Sequence, residues 1–138
     1  MSSRGSSTKA HAPVSNSPGI EGRRILLIED SPVVGPFTVD VLEELGCKVV
    51  GPAPNLAAAR EMLEGEKFDA AMVDIHIRGE RVFPLCEMLA ARKTPFVLTS
   101  GYAEQVPDKW ADRPRLQKPY TIGQVEEALK ALLDEKPR

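Results

Sequence analysis

The chain has 138 residues, enough for one domain of ordinary size and too few for two. Apolar residues make up 42% and charged residues 28%, with a formal net charge of -2, so no global field favours nucleic acid or an acidic membrane. Apolar runs reach only four or five residues, too short for a membrane-spanning helix, and the N-terminus lacks the apolar segment of a signal peptide. No membrane insertion is therefore expected. Cys47 and Cys86 lie within apolar segments, with no second Cys or His at zinc-ligand spacing, and read as buried reduced thiols of a cytoplasmic protein.

Residues 1–22 are rich in Ser, Pro, Gly and Ala without apolar periodicity, a composition that cannot offset the entropy of ordering, so they read as a disordered N-terminal tail. Ile20-Glu21-Gly22-Arg23 matches a protease recognition sequence and carries no functional weight. The regular pattern, and with it the expected domain, runs from residue 24 to 135. Ile25-Leu26-Leu27-Ile28 suits a strand buried on both faces and stops at Glu29-Asp30. Ser31 and Pro32 then read as a cap and first-turn proline. Val34, Phe37, Val41, Leu42 and Leu45 follow at helical spacing, and Gly46 closes the helix. Gly35 and Pro36 should make its first turn irregular.

Val49-Val50 marks a second strand, and Asn55 caps a helix bearing Leu56, Ala59, Met62 and Leu63. Ala70-Ala71-Met72-Val73 is a third buried strand ending in Asp74. A helix with Val82, Leu85, Cys86 and Leu89 precedes the fourth strand, Phe96-Val97-Leu98, which ends in Thr99-Ser100-Gly101. Residues 103–113 carry proline interruptions and predict a short or irregular fourth helix. Leu116 belongs to a brief fifth strand before Lys118-Pro119. Thr121 and Gln124 form a capping box for a last helix with Ile122, Val125, Leu129, Leu132 and Leu133. Five strands alternating with five helices predict a doubly wound α/β fold, a parallel sheet with helices on both faces.

In that architecture ligands sit at the carboxyl ends of the strands. Glu29 and Asp30, Asp74, Ser100 and Lys118 all fall there, ending the first, third, fourth and fifth strands. Three converging carboxylates repel one another and raise each other's pKa. A hard cation with oxygen preference relieves this, and Mg2+ fits best. One carboxylate can then attack phosphorus to give an acyl phosphate. Lys118 supplies a fixed positive charge to the transferred group and Ser100 a hydrogen-bond donor. A cis peptide before Pro119 would aim the lysine inward.

Glu29-Asp30-Ser31, the apolar strand ending in Asp74, Ser100 after an apolar strand, and Lys118-Pro119 together resemble the receiver domain of bacterial response regulators in two-component systems. The likeness covers residues 24 to 135, and it implies a flavodoxin-like sheet of order 2-1-3-4-5. It implies a phosphoprotein in a phosphorelay, with Asp74 taking a phosphoryl group from a sensor histidine kinase or a histidine phosphotransfer protein. Asp30, Asp74 and the backbone carbonyl of His76 would bind Mg2+ directly, and Glu29 largely through water. Ser100 and Lys118 would hold the phosphoryl oxygens. Such a domain is not a conventional enzyme, although it catalyses its own phosphotransfer and the hydrolysis of the acyl phosphate. A change of conformation would regulate a downstream protein partner, and direct contact with nucleic acid is not expected.

Pro95 to Tyr102 resembles a subgroup with a Ser/Thr-Gly-Tyr signature after the fourth strand. Ser100 takes the hydroxyl position there, and the register with Thr99 in that place stays open, since alternation puts the two side chains on opposite faces. Receivers mostly carry an aromatic residue three positions before the lysine, where this chain has Arg115. Output would then run through the loop around Gly101 and Tyr102. Trp110 and Tyr102 are candidates for a partner surface, as well as for ordinary packing.

Three other readings fit less well. An aspartate-based phosphatase usually has a second aspartate two residues after the nucleophile, where this chain has His76. A receiver fold kept only as a non-phosphorylated protein-interaction module would be expected to have lost an acidic or lysine position, yet all stand. A nucleotide or flavin carrier wants a glycine- or hydroxyl-rich loop after the first strand, and Glu29-Asp30-Ser31-Pro32 would repel phosphate without a metal.

Overall fold

The computed structural model describes residues 19–101 and 105–134. Five parallel strands form the sheet: β1 (Arg24–Ile28), β2 (Lys48–Ala53), β3 (Ala70–Asp74), β6 (Phe96–Ser100) and β7 (Arg115–Gln117). A small antiparallel pair, β4 (His76–Ile77) with β5 (Glu80–Arg81), stands apart from it. The helices are α1 (Val34–Glu44), α2 (Leu56–Gly65), α3 (Phe83–Ala91) and α4 (Ile122–Asp134). The sheet order is β2-β1-β3-β6-β7, the order that the receiver resemblance implies for its five principal strands. Where a short or irregular helix was expected there is a 3-10 turn, Asp108–Trp110.

Alternation along the strands builds two apolar layers, one on each side of the sheet. Leu26, Ile28, Ala71, Val73, Phe96 and Leu98 face Leu63, Leu85 and Leu89 of α2 and α3. Ile25, Leu27, Met72 and Val97 face Val41 and Leu42 of α1 and Val125 and Leu129 of α4. Each fully buried Leu or Ile contributes roughly 1.5–3 kcal/mol, which fixes the strand register because a one-residue slip would exchange the two layers. Ile20, assigned to the tail by its polar surroundings, is fully buried in the second layer, and its carbonyl accepts from the Cys47 thiol. Residues 1–18 of that tail lie outside the described residues.

Local signals set the helix ends. The Asn55 carboxamide accepts from the Ala58 amide at 2.8 Å, and Thr121 and Gln124 exchange two hydrogen bonds as a capping box. Gly46, at φ 89°, ends α1 with Gly46 N–H on Glu43 and Cys47 N–H on Leu42, the two bonds of a Schellman motif. Ser31 accepts from the amides of Val33 and Val34, so it caps as expected although the regular helix starts two residues past Pro32. Gly35 lies within α1 rather than breaking it, and a side chain there would press on Pro52 at 3.3 Å. Cys47 and Cys86 are buried free thiols, and loss of hydration pushes them up to about 11 and about 12. No helix among the described residues is long and apolar enough to cross a membrane.

Candidate functional site

The site lies where β1, β3, β6 and β7 end. Parallel pairing sets Ile28 beside Val73 and Asp74 beside Thr99, so the next residues of β1 and the last of β3 reach the same edge. Glu29, Asp30 and Asp74 meet there, with one carboxylate oxygen from each lying within 4.8 Å of the others. Glu29 and Asp74 are buried and Asp30 is exposed at the rim.

Lys118, just past β7, reaches two of these carboxylates. Its Nζ donates to Asp74 Oδ2 at 2.9 Å and lies 3.2 Å from Glu29 Oε1. The Lys118–Pro119 peptide is cis, the geometry that the sequence reading tied to an inward lysine, and so is Gly51–Pro52. Burial alone would lower the lysine pKa, but hydrogen bonds and charge from Asp74 and Glu29 outweigh it and hold the ammonium above its ordinary value. Burial, followed by the charge of Asp74, lifts Glu29 to about 7, with Lys118 acting against both. The pocket therefore carries more carboxylate than one lysine neutralises. Its donor set is hard oxygen, and the residues present fit a magnesium ion.

Backbone amides fix the carboxylates. The Ser31 amide donates to Glu29 Oε2 at 3.1 Å and the His76 amide to Asp74 Oδ1 at 3.3 Å. The Arg78 amide holds Asp30 Oδ2 at 2.8 Å. Arg78 was not singled out from the sequence. It sits with Gly79 in the turn of the β4–β5 hairpin, both at positive φ, and a two-residue turn ending in Gly was the signal available.

Both hydroxyls at the end of β6 are buried. Thr99 follows Val97 in the alternation and so lies on the α1–α4 side, whereas Ser100 follows Phe96 and Leu98. Thr99 is 1% exposed, and among the described residues its hydroxyl has no hydrogen-bond partner. A further pair close to the site was not foreseen. Tyr120 Oη lies 2.7 Å from Thr38 Oγ1 of α1, and its ring packs 6.3 Å from Phe37. Nothing in a sequence separation of 82 residues announces that pair.

The expectations for aromatic surface residues divide. Trp110 is 4% exposed and packs on Phe96 at 5.7 Å, with the Arg113 guanidinium over both rings, so it is core and not a partner surface. Tyr102 lies outside the described residues. Arg115 stands exposed on β7 in the place of the expected aromatic.

No protein-family model matches the chain. Among solved structures, SdrG from Sphingomonas melonis Fr1 is 39% identical, with a TM-score of 0.75 covering 85% of this chain and 99% of that one. The BeF3-activated conformation of SdrG is 40% identical, at a TM-score of 0.70 over 80% of this chain and 95% of that one. The response regulator REC domain of Erythrobacter litoralis PhyR has the same fold at 22% identity, with a TM-score of 0.75 over 86% and 96% of the two chains. The sensor protein TorS of Escherichia coli K12 is 33% identical over 91 residues, or 65% of this chain, which spans about 10% of the length of that protein. Likeness along nearly the whole of SdrG, on the sheet order already described, shows that the chain belongs to the response regulator receiver domains of two-component signalling.

Proposed function

We propose that the chain is a phosphoacceptor switch in which Asp74 takes a phosphoryl group from a sensor histidine kinase or a histidine phosphotransfer protein. The observation that carries this reading is Asp74 itself, clustered with two further carboxylates and bonded to the Lys118 ammonium at 2.9 Å. An Asp74 oxygen attacks phosphorus, the donor's P–N bond breaks, and an acyl phosphate forms. The Lys118 ammonium passes from carboxylate to phosphoryl oxygen, and the Ser100 hydroxyl donates to another. Asp30, Asp74 and the His76 carbonyl would hold magnesium, with Glu29 reaching it through water. The bound ion supplies neutralisation of the transferring oxygens. Water later hydrolyses the acyl phosphate and resets the switch. The domain thus serves as a regulator of a downstream protein rather than as an enzyme acting on a separate substrate, and this reading carries a cytoplasmic location with it.

Beryllofluoride mimics the phosphoryl group, so calorimetric titration with and without magnesium tests the reading. Binding that requires magnesium and disappears in Asp74→Asn is expected. Absence of binding by the unaltered chain would leave a receiver fold used only for protein interaction.

A further inference from the structure

Lys118 does not end an independent loop. Two residues on, the Tyr120 side chain is buried against α1, where its hydroxyl meets the buried hydroxyl of Thr38 at 2.7 Å. Thr38 has one hydroxyl proton, and that proton is used on the Val34 carbonyl at 2.8 Å. Tyr120 is therefore the donor to Thr38, and a short relay runs from Lys118 through Tyr120 to the N-terminal half of α1. The same rings shape the surface. Val33, Val34 and Phe37 of the α1 start line an apolar groove of about 240 Å³ together with Lys118, Pro119 and Tyr120. Val33 is 75% exposed and Phe37 44% exposed, the large apolar side chains most open to solvent among the described residues. The aromatic coupling position of the receiver pattern is meanwhile filled by the exposed Arg115.

We propose that Tyr120 is a positioning residue whose hydrogen bond to Thr38 couples the placement of Lys118 to α1, so that occupation of Asp74 is transmitted to this helix. The inference rests on Asp74 being the acceptor. When Lys118 turns from Asp74 to a phosphoryl oxygen, the two-residue link draws on Tyr120, and Tyr120 draws on Thr38. The apolar groove lies between these parts, so its shape follows the state of the site.

The test is a backbone amide NMR titration of the full chain with beryllofluoride and magnesium, comparing amides beside Asp74 with those of Thr38 to Leu42 in α1. In the unaltered chain both sets shift. Tyr120→Phe removes one oxygen from an otherwise intact ring. It should leave the shifts beside Asp74 in place and reduce those in α1 by roughly half or more. Thr38→Val should give the same loss, the double variant no further loss because both remove one bond, and Thr38→Ser should restore the coupling. Undiminished α1 shifts in Tyr120→Phe would overturn the coupling alone. No shift beside Asp74 in the unaltered chain would overturn the acceptor reading and the coupling with it.

Discussion

The Lys118 ammonium and the Asp74 carboxylate, 44 residues apart in sequence, stand 2.9 Å from each other in a pocket that also holds the buried Glu29. The lysine is the counter-charge that makes two buried carboxylates tolerable. Lys118→Ala should lower stability by roughly 2–4 kcal/mol without metal, since removing one partner strands the others. Urea unfolding with and without magnesium measures this, and magnesium should recover much of the loss. Equal midpoints for variant and unaltered chain in chelator would contradict it.

Glu29 sets the direction of a pH effect. Its folded pKa is raised from 4.5 to about 7, so the native state holds more protons than the unfolded chain between those values. Stability conferred by this group falls as pH rises from about 4.5 to about 7, the reverse of a salt-bridged carboxylate. In chelator, Glu29→Gln should be less sensitive than the unaltered chain across this window. The check is the unfolding midpoint at several pH values. Parallel curves for the two proteins would rule the effect out.

Thr99 and Ser100 can be told apart by what their hydroxyls lack. Thr99 buries an unpartnered hydroxyl, so Thr99→Val should raise stability by about 1 kcal/mol and leave acyl-phosphate formation intact. Ser100→Ala should instead slow formation about tenfold or more with little change in stability. The opposite assignment of rates would make Thr99 the phosphoryl donor.

Gly51 answers for the edge of the sheet. Its φ is 109°, and a β-carbon there would lie 2.5 Å from the Leu27 carbonyl oxygen. Gly51→Ala should cost about 2 kcal/mol or more, read from thermal or urea unfolding. A midpoint unchanged from that of the unaltered chain would mean that β2 departs readily from this course.

The central strands were readable because Ile25 to Ile28, Ala70 to Val73 and Phe96 to Leu98 are apolar without a break and are buried without exception, whereas their order in the sheet came from the family resemblance. The same breaks in apolar character put Glu29, Asp30, Asp74 and Lys118 at one edge, so the charged cluster was readable too. Other residues depended on tertiary contacts. Ile20 sits near Ser, Pro and Gly, and only its place in the apolar layer shared with α1 and α4 explains its burial. Trp110, in a polar, proline-interrupted stretch, was open to a surface or a packing reading, and only the contacts with Phe96 and Arg113 decide for packing. Phe37 had the spacing of a core residue and is partly exposed, because the helix presents it beside Tyr120 rather than beneath it. The Tyr120–Thr38 bond joins a loop to a helix distant in sequence, and no local pattern encodes such a pair.

The most direct measurement is the intact mass of the protein after incubation with acetyl phosphate and magnesium, beside Asp74→Asn. A single phosphoryl adduct that requires magnesium and is absent from the variant is the result expected. An adduct that persists in Asp74→Asn, or none at all together with no binding of beryllofluoride, would contradict the assignment of Asp74 as the acceptor.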